Sequence, residues 1–213
     1  MLRRRRGLAA GALLLTLAMV SGCGQGEEVN TSEPGGSVVV RDGPTYETVR
    51  EVGKAGNIVV RGLVGKEIAT ELDGGGEAEE SEENSSKVAF VSLKVTASSN
   101  ENVVARGSTV PVLVDPRDLT SSTDLLHLDE GDEVVLAAVS TSRDQAPGIE
   151  SVEAFLAPVG GTAGVFDVEG ARARSRDPEV AAMTSDEVSG ASENNRLDVP
   201  VEDLWQELLS SSR

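Results

Sequence analysis

Aromatic residues are almost missing from this chain of 213 residues: one Trp, one Tyr and three Phe make up 2% of it. Sugar platforms rely on the large rigid faces of aromatic rings, so this scarcity argues against carbohydrate stacking. Histidine is scarcer still, with His127 alone. Triad catalysis needs a base beside its nucleophile, usually histidine. His127 lies in Leu125-Leu126-His127-Leu128, just before an acidic turn, and no Gly-x-Ser-x-Gly elbow accompanies it. It reads as a loop or barrel-rim residue. Cysteine is limited to Cys23. An internal disulfide is thereby excluded, and the fold must rest on a core alone. One histidine and one cysteine cannot supply the usual nitrogen and sulfur ligands of zinc either. No catalytic, cofactor or metal residue is assigned on these grounds.

Positive charge is also short. Lys and Arg number 19 against 36 Asp and Glu, for a net charge of −17. Such a chain is repelled by nucleic acids, which excludes them as partners. Calcium suits the composition better, because oxygen ligands suffice for it. Asp115 with Asp118, and the run Asp129, Glu130, Asp132 and Glu133, are the places to look, although none has EF-hand spacing. The Gly160-Gly161-Thr162-Ala163-Gly164 segment lacks the lysine of a phosphate cradle and reads as a turn between strands.

The amino terminus carries the most specific signal. Arg3 to Arg6 are followed by an apolar stretch from Leu8 to Val20, interrupted by Gly11 and Thr16, and then by Ser21-Gly22-Cys23. A basic start, a short apolar run and small residues make a secretory signal peptide. The run is shorter than the roughly 20 residues that span a bilayer. Val20-Ser21-Gly22-Cys23 resembles the lipobox of bacterial lipoproteins. The resemblance implies cleavage before Cys23 and a thioether-linked diacylglycerol on its sulfur. Two acyl chains hold a protein to a membrane firmly. The expected address is the extracytoplasmic face of the cell membrane, with membrane lipid as the first partner. Loss of the leader would make the mature chain four charges more negative.

Beyond the leader, 1–22, residues 23–36 have little to bury and are expected to be a flexible tether. A mainly β domain (all-β to α+β) is expected over 37–170. Ser37 to Arg41 reads as a strand and Asp42-Gly43-Pro44 as a turn. A short helix capped by Thr45 is expected through Lys54, with Tyr46, Val49, Val52 and Gly53 inward. Strand character follows from Asn57 to Leu72, then an acidic, anchorless insert over 73–86. Lys87–Thr96 alternates with period two. Ser108–Val114 does likewise, and Pro111 within it suggests an edge or bulge. Val134–Val139 reads as a buried strand, and Glu150–Leu156 and Gly164–Val168 as further strands. Short strands separated by turns suggest a small barrel or sandwich. The pattern from Ile58 to Val168 resembles secreted OB-type barrels of Gram-positive envelope proteins and, loosely, netrin-like modules. That resemblance implies a binding barrel, without the cysteines that define netrin-like modules.

Residues 171–199 are polar without a sustained period and are expected to be irregular. Arg172, Arg174 and Arg176 would share one face of an extended chain. They would either grip an anionic wall polymer or a partner's acidic surface, or offset neighbouring acids such as Asp167, Glu169 and Asp177. Over 200–213, Val201, Leu204, Trp205, Leu208 and Leu209 recur at helical spacing, making an amphipathic helix entered at Pro200. So short a helix is not stable alone in water. Its stripe must dock on its own barrel or serve as a partner-binding anchor. The functional expectation is a non-enzymatic, membrane-anchored envelope module that binds a protein or wall polymer. The alternative is an envelope hydrolase that uses carboxylates or calcium.

Overall fold

The structure, a computed structural model, describes residues 44–73, 86–117, 125–184 and 196–212. The expectations for residues 1–43, for residues 74–85 of the insert and for Asp118 lie outside the described residues; the insert's expected ends, Asp73 and Ser86, are instead paired strand residues.

The first helix, α1 (Val49–Ala55), begins three residues later than expected. Thr48 caps it instead of Thr45, because only Thr48 has a glutamate three positions on. The Thr48 hydroxyl accepts the Glu51 N–H at 3.2 Å, and the Glu51 carboxylate accepts the Thr48 N–H at 3.2 Å. Val49, Val52 and Gly53 are buried, as the apolar spacing predicts.

Strand β1 (Ile58–Asp73) pairs antiparallel with β2 (Ser86–Ser98), so these two strands are the arms on either side of the acidic insert. β2 pairs with β3 (Thr109–Val114). Strand β4 (Glu133–Ser142) pairs with the first part of β1 and with β5 (Ala154–Pro158). A single parallel pair, Val112 with Leu156, joins β3 to β5 and closes the barrel in the order β1-β2-β3-β5-β4-β1. Pro111 lacks a donor and stands one residue before this narrow seam. The result is the closed five-stranded, OB-like barrel that the pattern suggested, with extra strands added.

Alternation along the strands sorts the side chains between cores. Ile58, Val60 and Val64 of β1, Val91, Leu93 and Val95 of β2, and Leu136 of β4 point into the barrel. Val59, Val135 and Ala137 point the other way, into a second core. Both faces of β4 and of the first part of β1 are therefore buried, which explains the continuous apolar run of β4. Each fully buried valine or leucine contributes roughly 1.5–3 kcal/mol, so two cores compensate for the few aromatics.

The second core requires the part of the chain that looked irregular. Strand β6 (Val165–Glu169) pairs with β4, then β7 (Arg172–Ser175) with β6, and β8 (Asp198–Pro200) with β7. The sheet thus continues well past residue 170, which corrects both the expected domain boundary and the expected irregularity of 171–199. Ala173 is the only apolar side chain of β7, too little to show a period, yet it is fully buried against this core. In the described part of the following loop, Val180 and Ala182 are buried too, and Ala182 forms an isolated bridge with Thr48. The helix α2 (Val201–Ser211) completes the layer, and Pro200 occupies its N-cap as the last residue of β8.

A second correction concerns Glu150–Leu156. Only Ala154 onward is strand; Ile149 and Val152 belong to a loop that lies over Phe90 and Phe155 in a third, smaller cluster. The two phenylalanine rings meet edge to face with centroids 5.2 Å apart. The segment Gly161–Gly164 forms the expected turn between strands, a short 3-10 turn entered through Gly160 at φ 57°.

Candidate functional site

Packing covers two parts of the outside of the barrel. Over β1 and β4, the second core is covered by α1, α2 and β6 to β8. Over the outward side chains of Phe90 and Leu113, the loop 143–153 is seated. Between these two covers, the outer face of β1, β2 and β3 nearer the middle of those strands stays open.

Leu93 and Val95 are buried inward, so Ser92 and Lys94 stand outward on β2. Leu63 of β1 lies opposite Lys94, which in turn lies opposite Thr109 of β3; Ser92 lies opposite Pro111. Leu63 is 43% exposed, large for an apolar side chain within a sheet. The Ser92 hydroxyl donates to the Lys66 carbonyl at 3.1 Å. One border is the Arg61–Glu133 ion pair at 2.8 Å. Lys66 and Lys94 have no ion pair among the described residues, in contrast to most arginines of the domain. The face carries the Lys94 ammonium group, the Ser92 hydroxyl and one exposed leucine. It offers hydrogen bonds, positive charge and a small apolar contact, and it has no nucleophile–base pair.

The sequence-level candidates fall elsewhere. Val201, Leu204 and Leu208 are buried in the second core, and Trp205 packs against it. This corrects the partner-anchor reading: those three residues hold α2 on its own domain, while Trp205 and Leu209 are half-buried at its margin. Close approach of the helices is possible because Gly53 faces α2, where a Cβ would sit 2.8 Å from the Ser211 Cβ. An Arg50–Glu207 pair at 2.8 Å bridges the same two helices.

The acids proposed for calcium have protein partners. Asp115 is buried and its carboxylate accepts the Leu126 N–H at 2.7 Å. Asp129 meets Arg117 at 2.9 Å, Asp132 meets Arg176 at 2.8 Å, and Glu133 meets Arg61. Glu130 is exposed in the turn. Among the described residues, no three His, Cys, Asp or Glu side chains are grouped as a metal would require.

The arginine trio does offset acids, though by a different set than its near neighbours alone. Arg176 binds both Asp167 at 2.7 Å and Asp132, and it donates to the His127 carbonyl. Arg172 and Arg174 share Asp198, at 2.6 and 3.5 Å. The hydrogen bond from Arg172 is the largest influence on the Asp198 carboxyl; desolvation opposes it, and the charge of Arg172 with the hydrogen bond and charge of Arg174 leaves the carboxyl below the usual aspartate value. His127 is half-buried, and its Nδ1 is buried without a hydrogen-bond partner among the described residues.

No protein-family model matches the chain, and no curated protein or solved structure matches it significantly. Among the described residues, no helix is long and apolar enough to cross a membrane. Sequence reasoning had not singled out Leu63, Ser92 and Lys94. Their signal was present as the outward positions of two alternating strands, but it acquires meaning only once the neighbouring outer faces are seen to be covered.

Proposed function

We propose that the chain is an extracytoplasmic lipoprotein, anchored through a diacylated Cys23, whose OB-like barrel is a non-enzymatic binding module for an envelope protein or wall polymer. The observation that carries the binding assignment is the open face of Leu63, Ser92, Lys94, Thr109 and Pro111, left bare between the second core and the loop 143–153, which cover neighbouring parts of the barrel. OB-type barrels hold their ligands against the strand 2 and 3 face, and this analogy of fold supports the same use here. The address is supported by Val20-Ser21-Gly22-Cys23 behind a basic and apolar leader.

The test is in-cell crosslinking of the tagged, membrane-bound protein followed by mass spectrometry, with Leu63→Asp, Lys94→Glu and Cys23→Ser beside it. The expected result is an envelope partner lost in the two face variants, and release of Cys23→Ser from the membrane fraction. A partner retained by both face variants overturns the assigned face. Membrane retention of Cys23→Ser overturns the lipid anchor.

A further inference from the structure

Residues 143–153 join β4 to β5 in a loop whose backbone bonds close on themselves. Its neck is the Ser142–Ala154 strand pair, extended by the Arg143 N–H donating to the Glu153 carbonyl at 2.9 Å. Within it, the Ala146 N–H donates to the Arg143 carbonyl at 3.1 Å and the Ile149 N–H to the Ala146 carbonyl at 3.0 Å. The Arg143 guanidinium donates to the Glu150 carbonyl at 2.6 Å. None of these bonds involves the barrel wall.

At the neck, the Ser142 N–H donates to Gln145 Oε1 at 3.0 Å and the Ala146 N–H to the Ser142 carbonyl at 3.2 Å. Away from the neck, among the described residues, the hydrogen bonds from this loop to the barrel wall end on one side chain. Glu71, near the end of β1, accepts the Glu150 and Ser151 N–H groups at 3.1 Å each, and also the Ser151 hydroxyl. The apolar attachment is equally narrow: Ile149 and Val152 are the loop's buried side chains, set over Phe90 and Phe155. A compact loop with adjoining ends and self-satisfied backbone can detach without breaking any strand pairing.

We propose that residues 143–153 form a strap that opens as one unit about the Ser142–Ala154 neck, with the Glu71 carboxylate as its latch. Phe90 follows the outward face of β2 from Ser92, and Leu113 follows that of β3 from Pro111. Opening the strap therefore extends the bare face into an apolar half. The consequence for binding rests on the function proposed above; the motion itself does not.

Hydrogen–deuterium exchange on the full chain tests the motion. The amides of Ala146 to Val152 are expected to exchange together. Glu71→Ala is expected to speed them about tenfold or more, the effect of losing charge-assisted bonds, while Phe90–Val95 and Leu136–Ser140 keep their protection. A Glu71→Cys/Ser151→Cys pair is expected to slow strap exchange when oxidised and restore it when reduced. An anilinonaphthalene sulfonate dye should brighten with Glu71→Ala and not with the oxidised pair. Unchanged strap exchange in Glu71→Ala, or equal acceleration of strap and strands, overturns the proposal. Strap opening combined with a partner that ignores Leu63→Asp overturns the binding reading and leaves the strap standing.

Discussion

The Arg176 guanidinium lies 2.8 Å from the Asp132 carboxylate, across 44 residues of chain. The contact ties the end of β7 to the turn that leads into β4, and the same arginine also holds Asp167 on β6. It is a clamp between the barrel and its added strands. Only a fifth of its side chain is exposed, at 20%, so solvent screens it less than a surface pair.

Replacing Arg176 by Met should therefore destabilise the fold by about 2 kcal/mol, because two carboxylates lose their charged donor. Urea unfolding of the variant checks this as a lower midpoint at unchanged slope. A midpoint equal to that of the parent would show the cluster to be solvated and energetically neutral.

Asp198 links stability to pH. Its carboxyl is held low in the folded chain by Arg172 and Arg174, so the unfolded chain binds the proton first on acidification. The stabilisation is complete above the ordinary aspartate value and is lost as pH falls through the lower, folded value. Asp198→Asn should be less stable than the parent at neutral pH. The gap in melting temperature should close below about pH 4, where the unfolded carboxyl takes up its proton. A gap that widens with acid would contradict this linkage.

Leu204 is fully buried between α2 and the second core. Leu204→Ala should cost about 2–5 kcal/mol, the usual range for a large-to-small change in a core. Truncation before Pro200 should lower the melting temperature of the whole domain rather than merely remove a tail. A truncated protein with an unaltered melt would return α2 to the status of a free anchor.

Gly62 of β1 lies against the backbone of β2. A Cβ there would lie 2.6 Å from the Lys94 carbonyl oxygen and 2.9 Å from the Leu93 Cγ. Because the backbone of β2 cannot yield easily, Gly62→Ala should destabilise by about 1–3 kcal/mol. Circular dichroism melts would register the loss, and a neutral result would mean that the strands separate readily at this position.

How much was legible in advance differed from strand to strand. Lys87–Thr96 announced itself because valine and leucine alternate with polar residues on a strand buried mainly on one side. Val134–Val139 announced itself as an apolar run, the mark of a strand buried on both sides. β7 did not, because Arg172–Ser175 carries three polar side chains and one alanine, and its strand character comes from pairing with β6. Ile149 and Val152 misled, since apolar residues with charged and polar neighbours look alike in a strand and in a loop pressed onto a core.

The sequence by itself determined the class of the fold and the presence of an amphipathic final helix, because both follow from local periodicity and burial. It likewise contained the basic and apolar amino-terminal stretch and the Val20-Ser21-Gly22-Cys23 motif, on which the proposed address rests. Tertiary structure alone decided what covers what: that Leu204 and Leu208 face their own core, that Arg176 holds Asp132 and Asp167, and that Glu71 receives the loop 143–153. Those outcomes depend on which distant segments meet across the sheet. Periodicity along the chain records that a face must be covered, but it does not record by what.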